Sequence, residues 1–203
     1  MQIIAVILKD VLTALYQFFF PSIILTFLGS FFYLHCAASM ETGTGARAAF
    51  SAWKRAFLTS LTFRRVTALA FFLSMILFRT LLGRSVTANP LKTVIGNFGI
   101  WVTNAKGVRS LTTEGVENIF LTMPFLLFLL LAFENRFMKG KTLGTVLLKS
   151  VKIAFLLSLA IECLQLLLHL GYFQLSDLFH NTLGGFLGGL IAWTYARLKK
   201  GKR

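Results

Sequence analysis

Hydrophobic positions in this chain come in long unbroken runs, separated by short stretches that hold most of the basic residues. The first run covers roughly Val11 to Ala37 and is interrupted by Pro21. Crossing ~30 Å of hydrocarbon takes about 20 helical residues, so a run of this length must tilt, kink at the proline or protrude. Further runs extend from about Val66 to Leu82, Asn118 to Phe133, Val151 to Leu170 and Asn181 to Ala196. The pattern predicts an all-α polytopic membrane bundle of about five transmembrane helices, because only a lipid solvent accommodates runs of this kind.

The segments between the runs carry their own patterns. METGTGARAAFSAWKRAFLTSLTFRR starts as a Gly/Thr-rich loop. It continues with Phe50, Trp53, Phe57 and Leu61 at helical spacing against Lys54 and Arg55, which predicts a helix in the headgroup plane. Gly83 to Glu117, with Pro90 and Trp101, is the longest non-spanning segment. The opening MQIIAVILKD has no basic region and no small-residue cleavage site, and reads as a retained, interfacial lead-in. The expected division is residues 1–65 as a first span plus interfacial segment, 66–196 as a four-helix membrane domain and 197–203 as a basic tail.

Composition agrees with this picture: 56% of the 203 residues are hydrophobic and only 14% are charged. A soluble domain of this size would need a far more charged surface. The net charge of +14 lies between the apolar runs, where it sets topology. Binding of nucleic acid is not expected, since the aromatics lie within the spans instead of among the lysines. Five Lys or Arg fall in each of three segments: Met40 to Arg65, Glu134 to Lys152 and the tail RLKKGKR. Five crossings put all three on one side, against six basic residues elsewhere. The positive-inside rule then predicts an external amino terminus and a cytoplasmic carboxy terminus in a multi-pass protein.

Polar residues within or beside the spans cluster toward the predicted outer side: Arg79, Arg84, Asn118, Asp177 and Asn181, with Glu162 and Gln165 deeper in the fourth helix. An ionised acid at that depth costs about 2.5–3.5 kcal/mol unless paired or protonated. Ser158, Glu162, Gln165 and His169 recur at spacings of four, three and four, so they share one helix face that must meet protein or water. On the fifth helix Asn181, Gly185, Gly188 and Ala192, widened by Gly184 and Gly189, form a small-residue stripe for close approach of another helix. A ten-residue link makes the two helices antiparallel neighbours and suspends Asp177 over the polar stripe.

Two readings follow. In the structural one Glu162 pairs with Arg79, the amides join helices and the glycines only allow packing. In the functional one the seven polar residues form an outward-facing ligand-binding cavity, which a purely structural role would not require to be so one-sided. His169 and His180 read as solvated interfacial residues, and Asp177 with His180 offers too few ligands for a metal. Trp53, Trp101 and Trp193 read as interface anchors. Cys36 and Cys163 predict no disulfide. The chain carries none of the common hydrolase or nucleotide motifs and no cofactor signature, so any catalysis would fall to Glu162 and Asp177 as acid and base.

The stretch SLAIECLQLLLHLGYFQLSDLFHNTLGGFLGG, from Ser158 to Gly189, resembles the signature of the VanZ-like family. It has a Glu and a Gln three apart on one helix, then an Asp, an Asn-Thr pair and two glycines at fixed spacing on the next. RTLLGR, from Arg79 to Arg84, and ENIFLTMPFLLFLL, from Glu117, are similar to the family's upstream motifs. The resemblance spans about Val66 to Ala196. It departs from the family pattern at Tyr172, which follows Gly171, at Gln174 and Ser176 ahead of Asp177, and at Phe125 after the proline of the third-helix motif. It implies a bacterial cytoplasmic-membrane protein connected with resistance to the glycopeptide teicoplanin. Three roles stay open: a non-enzymatic binder of a lipoglycopeptide, a lipid-linked cell-wall precursor or an anionic headgroup; an intramembrane enzyme on a lipid-linked substrate; or a structural or partner-binding subunit.

Overall fold

The computed structural model describes residues 2–36, 45–103 and 107–201. Along the chain, α1 (Gln2–Gln17), α2 (Phe19–Cys36), α3 (Ala46–Thr59) and α4 (Leu61–Leu77) are followed by a π-helical turn, Phe78–Leu82. A small antiparallel hairpin, β1 (Trp101–Thr103) and β2 (Arg109–Leu111), precedes α5 (Glu114–Ala132) and the short α6 (Glu134–Phe137). The chain continues with α7 (Leu143–Leu168) and α8 (Leu175–Gly201). The protein is thus an all-α membrane bundle, and among the described residues the hairpin is the only sheet.

Local chemistry explains the boundaries. Pro21 has no N–H to donate back to Gln17, so the first apolar run divides into α1 and α2 around Phe18 instead of forming one kinked span. Pro21 then sits in the first turn of α2, where no intrahelical bond is lost. Ser60 separates α3 from α4, its Oγ accepting from Phe63 N at 3.2 Å as the cap of α4. Leu61 therefore opens α4 instead of closing the amphipathic stripe of α3. Thr142 caps α7 in the same way, and His169 ends it in a left-handed conformation, φ 55°.

Four helical segments are long and apolar enough to cross a membrane: Phe19–Cys36, Leu61–Leu82, Glu114–Ala132 and Leu143–Leu168. The pattern of burial is inverted relative to a soluble bundle. On α7 the buried positions are Val146, Ser150, Ala154, Ser158, Ile161, Glu162 and Gln165, while Leu148 and Leu167 are more than 70% exposed. On α2 the buried face is Ser22, Thr26, Ser30 and Leu34, with Ile24, Leu28 and Phe32 outside. Small and polar residues facing inward with large apolar ones outward is the arrangement a hydrocarbon solvent selects.

Side-chain contacts set the directions of the helices. Arg65 Nη1 donates to Leu131 O at 2.7 Å at one end of α4, and Arg79 reaches Glu117 at the other, so α4 and α5 are antiparallel. Asn118 meets Asp177 and Thr122 meets Asn181, so α8 is parallel to α5. Asn181 also meets Ser158, and Ala192 packs near Val146, so α8 is antiparallel to α7. Glycines and polar residues dilute the apolarity of α8, which is not among these four spans but packs along α5 and α7. The core along these helices includes Phe18, between α1 and α2, with Met75, Ile76, Leu121, Phe125, Leu126, Ala154 and Ile161, and Leu15 of α1 packs on it.

The described parts of the three basic segments lie toward one end of this bundle. Trp53 of α3 packs there on Phe27 and Phe57 and donates from Nε1 to Ser30 Oγ at 2.7 Å. Trp193 lies beneath the guanidinium of Arg197, 5.0 Å from the ring centre. Both cysteines are free and exposed.

Candidate functional site

At the other end, segment 85–97 is laced across the α7–α8 connection. Thr87 N donates to His169 O, Gly171 N to Ser85 O, Phe173 N to Pro90 O and Leu175 N to Val94 O. Ser176 N bonds Ile95 O, and Asn97 N bonds Ser176 Oγ. The first N–H groups of α8 are thereby satisfied by loop carbonyls. These bonds hold Asp177, in the first turn of α8, directly beside α5 and Arg84.

Asp177 is the centre of the network. Arg84 Nη2 lies 3.2 Å from its Oδ2, and Asn118 Nδ2 donates to Oδ1 at 2.9 Å. One helical turn deeper, Thr122 Oγ1 donates to Asn181 Oδ1 at 2.8 Å, and Asn181 Nδ2 donates to Ser158 Oγ at 2.9 Å, tying α5, α7 and α8 together. Gln165 Nε2 donates to the Thr80 carbonyl in the π-helical turn at 2.6 Å. A π turn at such a position is a common functional feature of helices. Glu162 accepts from the backbone N–H of Gln174 at 2.8 Å. The acids and amides are deep: Glu162 and Gln165 are each 2% exposed and Asp177 4%.

Arg79 does not pair with Glu162. Its Nη2 and Nε bind Glu117 Oε2 at 2.5 and 3.2 Å, and Thr113 Oγ1 donates to Glu117 Oε1 at 2.7 Å. Glu117 is therefore the partner that sequence reasoning missed. The signal was present: a basic residue inside a span needs an acid, and Glu117 directly precedes the polar Asn118. Placing the start of the third helix at Asn118 left the acid outside it, whereas α5 begins at Glu114. His180 also differs from expectation, being 6% exposed and packed by Phe98 and Phe179.

The glycines of α8 face two helices. A Cβ on Gly184 would lie 2.9 Å from Ile119 O, and one on Gly188 would collide with Met123 O, both on α5. On the α7 side, a Cβ on Gly185 would collide with Ala154, and one on Gly189 with Ser150. The single stripe read from sequence as the α7 contact is thus two stripes, with Gly188 belonging to the α5 interface.

Among the described residues no three His, Cys, Asp or Glu converge to hold a metal. The chemistry on hand is two guanidinium groups paired with buried carboxylates, backed by amides and hydroxyls. The VanZ/LLP1 family model matches residues 18–197, nearly the whole chain. The protein belongs to the VanZ/LLP1 family. In this VanZ/LLP1 protein the match takes in α2 and α3 as well as the later helices that carry the network. No curated protein and no solved structure matches the chain.

Proposed function

We propose that this VanZ-like protein lies in the bacterial cytoplasmic membrane with the Arg79–Asp177 end and the amino terminus outside. There it binds the polar headgroup of an amphiphile, a lipoglycopeptide or a lipid-linked cell-wall precursor, and so confers glycopeptide resistance. The excess of Lys and Arg at the opposite end supports this orientation.

The observation that carries the reading is the layering of charge. Arg79 and Arg84 keep 22% and 18% of their side chains exposed, while their partners Glu117 and Asp177 keep 8% and 6%. The guanidinium groups thus form a rim over buried acids, and Arg84 Nε is a buried donor with no partner among the described residues. A phosphate or carboxylate headgroup is the complement of such a rim. Both oxygens of Asp177 are engaged, by Arg84 and Asn118. An acid so occupied serves as a partner that positions Arg84 and Asn118, which favours binding over catalysis.

Expression in a glycopeptide-susceptible bacterium tests the proposal. Teicoplanin tolerance is expected to rise several-fold with the wild-type protein and to return to the control level with Arg84→Gln expressed at equal abundance. Equal tolerance with and without the wild-type protein would refute the resistance role.

A further inference from the structure

At the basic end, opposite the network above, Arg65 is 9% exposed. Its Nη1 donates to Leu131 O at 2.7 Å and lies 3.9 Å from Glu134, but Nη2 is buried with no partner among the described residues. A buried guanidinium nitrogen without an acceptor is costly, and the Arg65 side chain that carries it borders a cavity of about 430 Å3. Arg136 and Lys199 line the same cavity, so three cations face one acid, Glu134. A cavity with this net positive charge is the complement of an anion.

Next to this cavity is a second of about 450 Å3, an apolar groove bounded by Leu127, Phe128, Ile191 and Tyr195. The two share Arg65 and Leu131, and Arg64 stands at the groove. A third cavity of about 440 Å3, lined by Ile23, Phe27, Phe71 and Phe72, continues from it through Arg64 and Phe128. A ligand filling these spaces has an anionic head and apolar tails.

We propose that the Arg65–Arg136–Lys199 cavity is a binding site for an anionic phospholipid of the adjoining leaflet, its phosphate among the three cations and an acyl chain in the groove between α4, α5 and α8. Charge complementarity selects phosphatidylglycerol or cardiolipin over zwitterionic lipids. The continuity of the cavity with an apolar groove selects lipid over free phosphate.

Full-length protein in neutral detergent is titrated with phosphatidylglycerol, phosphatidylcholine or inorganic phosphate, following thermal stability and bound lipid by native mass spectrometry. Phosphatidylglycerol should raise the melting temperature, with phosphatidylcholine having no effect. Each cation near an anionic lipid is worth about five-fold in affinity, so Arg136→Gln with Lys199→Gln should weaken phosphatidylglycerol roughly 25-fold. Neither side chain makes a hydrogen bond or ion pair among the described residues, whereas Arg65 also supports the Leu131 carbonyl. Lys149→Gln with Lys152→Gln removes the same charge on α7 and should leave affinity unchanged, and Ile191→Trp, which fills the groove, should weaken it. Equal losses in both charge pairs would mean diffuse attraction and overturn the site. The lipid assignment falls if inorganic phosphate stabilises as well as phosphatidylglycerol, or if Ile191→Trp binds it normally.

Discussion

Asn118 donates from its side-chain amide to Oδ1 of Asp177 at 2.9 Å, joining the N-terminal ends of two parallel helices through residues 59 apart in sequence. The Thr122–Asn181 pair repeats the same separation one turn deeper. The α5–α8 interface is thus held in register by polar pairs at one end and by Gly184 and Gly188 along its length.

The Arg84–Asp177 pair should behave as a coupled unit. Asp177→Ala leaves a largely buried guanidinium and an amide unpaired, and is expected to cost about 3–5 kcal/mol in unfolding free energy. Combining Asp177→Ala with Arg84→Gln should recover part of it. Additive losses in a double-mutant cycle, measured in detergent, would show that the pair does not interact.

Arg79 should couple to Glu117 and not to Glu162. Glu117→Gln alone is expected to lower the melting temperature, and adding Arg79→Gln should restore much of it, because the uncompensated cation is then gone. Adding Arg79→Gln to Glu162→Gln should bring no such recovery. Rescue in the second combination would overturn the pairing described above.

Helix approach gives a sharp contrast among glycines. Gly185→Ala and Gly188→Ala each place a methyl against a fixed neighbour and should destabilise by about 1–3 kcal/mol. Gly144→Ala, in the first turn of α7 with nothing within reach of its Cβ, should be neutral or slightly stabilising. Gly140 has open space but φ +70°, so Gly140→Leu is expected to cost about 1–2 kcal/mol from backbone strain alone, instead of being free. Thermal melts of the four variants check the order.

Topology can be read by cysteine labelling in a background lacking Cys36 and Cys163. Lys92→Cys, exposed at the end that carries the network, should react with an impermeant thiol reagent on intact cells. Lys141→Cys, exposed at the basic end, should react only after permeabilisation. The reverse pattern would invert the orientation and move the network to the cytoplasmic face.

Taken alone, the sequence determined the solvent of this protein and the ends of its bundle. Run length and apolarity report directly on hydrocarbon thickness, and alternate connections fall at the same end of the helices whatever the packing, so the excess of basic residues in three of them marks one end. It also marked Arg79, Arg84, Asn118, Glu162, Gln165, Asp177 and Asn181, because a polar group in a span is costly enough to stand out. Tertiary structure alone decided which of them touch. Helix periodicity gives the face of a residue but not the neighbour that face meets, and any acid at the right depth satisfies a buried arginine equally well on paper. Packing of α4 against α5 gave Arg79 to Glu117, and the bonds between segment 85–97 and the α7–α8 link gave Asp177 to Arg84 and the Gln174 amide to Glu162. The division of the α8 glycines between α5 and α7 was set in the same way, since it depends on a helix being flanked on two sides at once.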